Sequence, residues 1–199
     1  MLSLKDRFSL LEADLLADPP RFIMSRDLPF AIFRYDPGNA DEREWPVRKD
    51  IDLLATRVGN HLRKRIEYIS LADLFWHSIQ ESEGVNAIIE LEKNHGFDAA
   101  EKQVNRYLSD RDFRSLCDLL LERAAALPAD TAVLFLIHAT VFAPGAYRIS
   151  SLLEQVGGRL RIPTVLFYPG TWSGTLNYMD LRTADQALGS YRVKIYGRE

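Results

Sequence analysis

Cysteine is almost missing from this chain: Cys117 is the one thiol in 199 residues. One cysteine excludes an internal disulfide framework, so the fold must be held by its core. Glycine and proline are modest, at 11 and 9 residues, which excludes collagen-like and low-complexity chains. No stretch approaches the roughly 18 apolar residues that cross a bilayer. The longest apolar runs, Ala132–Ile137 and Val165–Tyr168, are strand-sized. Met1 to Arg7 carries no apolar signal-peptide core, so a cytoplasmic protein is expected, with Cys117 reduced. An excess of positive charge is lacking as well. The chain has 25 Lys and Arg against 28 Asp and Glu, a formal net charge of −3. That balance argues against a whole-surface grip on nucleic acid. It leaves room for a local basic patch; residues 151–199 hold six basic and four acidic side chains, a mild asymmetry whose plain reading is chance.

What is present is core material. Hydrophobic residues make up 47% and aromatics 11%, which excludes disorder as the main state. Phe8, Leu11 and Leu15 form one apolar stripe, predicting a helix over 3–18 that Pro19-Pro20 ends. Leu28–Tyr35 reads as a strand, closed by the turn signal Asp36-Pro37-Gly38-Asn39. Val47, Ile51, Leu54 and Val58 predict a helix over 47–62, and Arg65–Leu71 a second strand. A helix follows, capped by Ser70 or Asp73, then short helices over 84–95 and 97–108. Phe113, Leu116, Cys117, Leu120 and Ala124 predict another helix. Thr131–Ala139 and Ile162–Tyr168 read as strands buried on both faces, joined by a helix over 147–156. Tyr191–Tyr196 reads as an edge strand. The alternation predicts one α/β domain over residues 1–199, a three-layer, mostly parallel sheet flanked by helices.

Ligands in open α/β sheets bind beyond the carboxyl ends of the strands. The phosphate-cradling signature is absent, because no Gly-Lys dipeptide occurs anywhere. A Gly-x-Ser-x-Gly nucleophile elbow is absent too. Asp36, Asp73 and His138 are expected at strand ends, where two carboxylates and an imidazole could hold a metal for nuclease or phosphohydrolase chemistry. The plainer alternative makes Asp36 a turn residue, Asp73 a helix cap and His138 a satisfied histidine. Arg57–Arg65 packs four fixed cations into nine residues. Such a run could touch DNA phosphates, or end a helix where cations meet the negative pole of its dipole. Cys117 falls on an apolar stripe and is expected to be a buried structural thiol. The remaining candidates are Arg34, Tyr147, Arg148, Tyr168 and Trp172, all beside predicted turns. They are expected to lie at the surface as partner-binding anchors, since Tyr, Trp and Arg dominate protein interfaces; the alternative for Tyr168 and Trp172 is that they simply cover the sheet edge.

Four stretches, in this order, carry a resemblance to a known family. They are Arg34-Tyr35-Asp36-Pro37, Leu71-Ala72-Asp73-Leu74-Phe75, Gly145-Ala146-Tyr147-Arg148-Ile149-Ser150-Ser151-Leu152-Leu153, and Pro163-Thr164-Val165-Leu166-Phe167-Tyr168-Pro169-Gly170. Together they resemble the BrxB family of bacterial BREX phage-defence systems, which methylate host DNA and block phage replication. The resemblance implies a fold like a nucleotide-hydrolase core without its P-loop. With the lack of a catalytic constellation, it sets the expectation of a non-enzymatic role with no cofactor and no metal. The implied partner is PglZ, the alkaline-phosphatase-like BREX protein; the slightly acidic charge balance suits DNA met indirectly or weakly. The resemblance assigns no catalytic residue.

Overall fold

The structure is a computed structural model, described here for residues 2–24, 30–62, 64–143, 147–179 and 193–198. Helix α1 (Leu4–Leu15) opens it, and Ser3 and Asp6 cap its start reciprocally. A short helix α2 (Arg21–Met24) leads to strand β1 (Phe30–Tyr35). Then come α3 (Glu44–Leu62), β2 (Arg65–Ser70) and four helices: α4 (Leu71–Glu81), α5 (Gly84–His95), α6 (Phe97–Ser109) and α7 (Leu116–Ala125). Strand β3 (Ala132–Ile137), helix α8 (Ile149–Val156) and strands β4 (Thr164–Trp172), β5 (Leu176–Tyr178) and β6 (Lys194–Tyr196) complete it.

The sheet runs β2-β3-β4-β1-β6, and these neighbours pair in parallel. The chain steps from β1 to β2 in one direction, then returns through β3 to β4 in the other. Right-handed crossovers therefore place α3 on the opposite face from the helices that follow β2. Side-chain alternation fills both faces. Ala31, Phe33, Val133, Phe135, Val165 and Phe167 meet α1 and α3. Phe30, Ile32, Leu134, Leu136, Leu166 and Tyr168 meet α4, α7 and α8. Phe33 is fully buried, 4.3 Å from Phe8 and 5.6 Å from Phe167. Removing such a ring from water contributes about 1.5–3 kcal/mol. This is the three-layer α/β architecture expected from the pattern of elements.

Three local expectations are corrected. The stretch Tyr168-Pro169-Gly170 is not a turn after the strand, because β4 runs on to Trp172. Pro169 is tolerated there because β3 pairs with β4 only as far as Leu166. Beyond that point β4 pairs with β5 as an antiparallel hairpin through Gly170↔Tyr178, an element not anticipated from the sequence. The helix expected from Phe113 begins at Leu116, where Ser115 caps it by accepting the Asp118 N–H. Phe113 instead packs edge-on against Tyr107, at 4.9 Å. Of the expected last strand, only Lys194–Tyr196 pairs with β1; residues 191 and 192 lie outside the described residues.

Candidate functional site

A crevice of about 260 Å³ opens at the carboxyl ends of β2 and β3, where they pass under α3. Arg48, Ile51 and Asp52 of α3 form one wall, and Tyr68, Ile137 and His138 the other. His138 ends β3 in the left-handed region, at φ 60°. Non-glycine residues rarely adopt this conformation, and it concentrates at functional positions. Its Nδ1 lies 3.0 Å from Ser70 Oγ. Ser70 Oγ already accepts the Asp73 N–H at 3.1 Å, so its own proton is available to donate to Nδ1. This arrangement favours the His138 tautomer with its proton on Nε2. Across the crevice, Glu44 accepts from the Tyr35 hydroxyl and from Arg48 Nε, the latter at 3.1 Å. Asp52 accepts from the Tyr68 hydroxyl at 3.2 Å.

These surroundings set the ionisation. Desolvation holds His138 below its ordinary pKa, the Arg48 cation adds to this, and Glu44 and Asp73 oppose it. Burial, with Glu44 nearby, raises the Tyr35 phenol, and burial with Asp52 raises Tyr68. His138 is therefore neutral at pH 7. By proton NMR its titration midpoint is expected below 6.5, the ordinary histidine value. Arg48→Ala is expected to move that midpoint upward. A wild-type midpoint at or above 6.5 overturns this reading. The sign for stability follows from linkage. In the window below the ordinary pKa the unfolded chain binds more protons than the folded one. His138 then costs stability as pH falls through that window and costs none above it.

The metal constellation is not assembled. Asp73 is an electrostatic neighbour of His138, but Asp36 stands at the end of β1, two strands from β3. Two strand spacings are roughly 9–10 Å. Asp36 instead accepts the Gly38 N–H at 3.0 Å, a turn role. Among the described residues no group of three His, Cys, Asp or Glu side chains could hold a metal ion. The basic run dissolves in the same way. Arg57 pairs with Glu12, Lys64 with Asp18 and Arg65 with Glu67. Arg63 lies outside the described residues. Cations already matched by the chain's own carboxylates have little left for phosphates.

The five expected interface anchors divide. Tyr147 and Tyr168 are buried in the core and Arg34 is 3% exposed, so their expected surface position is corrected. Alternation along β4 sends Tyr168 inward beside Leu166. Tyr147 packs on Phe142 at 5.4 Å, and its buried hydroxyl has no hydrogen-bond partner among the described residues. Arg34 spans the sheet: Nε donates to the Gly197 carbonyl at 2.8 Å, and Nη1 to the Gly170 carbonyl at 3.2 Å. Arg148 is exposed beside the start of α8, and Trp172 is half-buried under the Arg198 guanidinium. Sequence reasoning missed the exposed rings of Trp45, at the start of α3, and Trp76, in the middle of α4. It also missed the arginines around α7, which no motif marks.

A model of the family described as BREX protein BrxB matches residues 67–194, well over half of the chain. The chain belongs to the BrxB family. As a BrxB protein it is a component of a BREX phage-defence system, and other BREX components are its partners. No curated protein and no solved structure matches it. The matched segment begins within β2 and includes α4 to α8, β3, β4 and β5. The BrxB match thus covers His138 but leaves the α3 wall of the crevice outside. Cys117, also inside it, is buried, as its place on the α7 stripe predicts. No helix among the described residues is long and apolar enough to cross a membrane.

Proposed function

We propose that this BrxB protein works without catalysis, as an adaptor in the cytoplasm, and that its direct partner is the PglZ-like BREX protein. Family membership over residues 67–194 carries this reading. The build of the molecule supports it. The crevice offers a neutral imidazole, a guanidinium committed to Glu44 and a carboxylate committed to Tyr68. That is hydrogen-bonding material rather than a nucleophile set against a base. The purified protein is expected to co-elute with the PglZ-like protein of its own system in size-exclusion chromatography. If the folded protein associates with no BREX component, the adaptor reading falls.

A further inference from the structure

Away from the strand ends, two concavities meet at Arg159. One, of about 770 Å³, lies at the start of α7, between Arg111, Cys117, Asp118 and Gln155. The other, of about 250 Å³, lies at the end of α7, over Leu121, Leu127 and Ile162, with Arg161 on its rim. Leu121 and Leu127 are half-buried and rest on the core cluster. They give the groove an aliphatic floor with room for an incoming apolar side chain.

The charge around this groove is only partly compensated. Several cations elsewhere are matched, among them Arg57 by Glu12, Lys64 by Asp18, Arg114 by Glu81 and Glu122, and Lys194 by Asp14. Arg111 and Arg161 are exposed, and neither side chain makes an ion pair or hydrogen bond among the described residues. Arg159 is 57% exposed; it reaches Asp118 only at 3.8 Å and lays its Nη1 3.6 Å from the Cys117 thiol. Three arginines against one aspartate make a positive groove on a chain whose net charge is −3.

We propose that this groove docks an acidic segment of the BREX partner, one that sets an apolar side chain on Leu121 and Leu127 and aligns its carboxylates with Arg111, Arg159 and Arg161. The proposal rests on the adaptor reading above and deepens it. Charge complementarity names the sign of the occupant, and the aliphatic floor names its apolar anchor. Nucleic acid fits less well, because no aromatic ring lines either concavity for bases to stack on. The groove also lies wholly within the segment that the family model matches.

The test measures affinity for the PglZ-like protein of the same system by calorimetry. It compares wild type, R159E/R161E, R161E alone and K102E, with folding checked by circular dichroism. Lys102 is exposed on α6 and lines neither concavity, so K102E reports on a charge reversal away from the groove. R159E/R161E is expected to weaken binding at least tenfold, with R161E intermediate and K102E near wild type. Added salt is expected to weaken the wild-type complex. Arg161 makes no hydrogen bond or ion pair among the described residues, so R161E keeps the test open if the double variant misfolds. If wild type binds and both groove variants bind equally well, the groove is overturned while the adaptor reading stands. If wild type does not bind the PglZ-like protein, the groove proposal and the choice of direct partner both fall. Retention of a random-sequence DNA duplex that R159E/R161E abolishes, without loss of partner binding, also overturns the proposal.

Discussion

Arg7→Met is expected to lower the unfolding free energy by about 3–5 kcal/mol, the usual cost of breaking a buried ion pair from one side. Arg7 is fully buried and pairs with Glu42, itself 7% exposed. Its Nη1 also donates to the Arg34 carbonyl at 2.6 Å, and its guanidinium lies over the Phe33 ring. Glu42 in turn accepts the Asp36 N–H at 2.9 Å. The pair thus ties α1 to the end of β1 and to the loop beyond it. Methionine fills much of the volume but leaves a buried carboxylate without its cation. R7M/E42L removes both charges and is expected to recover a large part of the loss. Urea denaturation of both variants checks this, and a loss below about 1 kcal/mol for R7M would place the pair among those of surface strength.

Gly170→Ala is expected to disrupt the β4–β5 hairpin. A Cβ at this position would stand 2.2 Å from the Asn177 carbonyl oxygen and 2.8 Å from the Tyr168 ring. The first obstacle is paired backbone, which cannot swing aside as a flexible side chain would. The Gly170 carbonyl also holds Arg34, so a shifted hairpin drags on that arginine. The expected cost is at or above the roughly 1–3 kcal/mol typical of overpacking. Gly174→Ala is the useful contrast. Its φ is +85° but nothing lies within 4 Å of its added Cβ, so it should cost only about 1 kcal/mol, from the backbone alone. Thermal melting of the two variants separates these causes. A Gly170→Ala melting temperature no lower than that of Gly174→Ala would refute the clash.

The layers of this protein were legible because burial imposes a period. Ala132–Ile137 is apolar at every position because both faces of β3 are covered. Alternation also settles Tyr168, which beside Leu166 faces the core, although its neighbours Pro169 and Gly170 read as a turn. Local turn chemistry lost there to sheet pairing, a contact made with Leu176–Tyr178. The candidate site was less legible. His138 was found because it ends a strand, but its Ser70 partner is 68 residues away and Arg48 comes from a different crossover. Arg111 and Arg161 carry no local sign of being unpaired, because a missing partner is a property of three dimensions.

The strand order carries a cost during synthesis. β1 leaves the ribosome well before its two sheet neighbours, β4 and β6. Asp14 waits equally long for Lys194 and Tyr196, its partners from 180 and 182 residues further on. Until then β1 offers two open hydrogen-bonding edges and its apolar faces to any other nascent strand. A sheet closed by such distant pairings folds slowly, after rather than during translation. Until those strands arrive, β1 is the edge at which mispairing with another chain costs least.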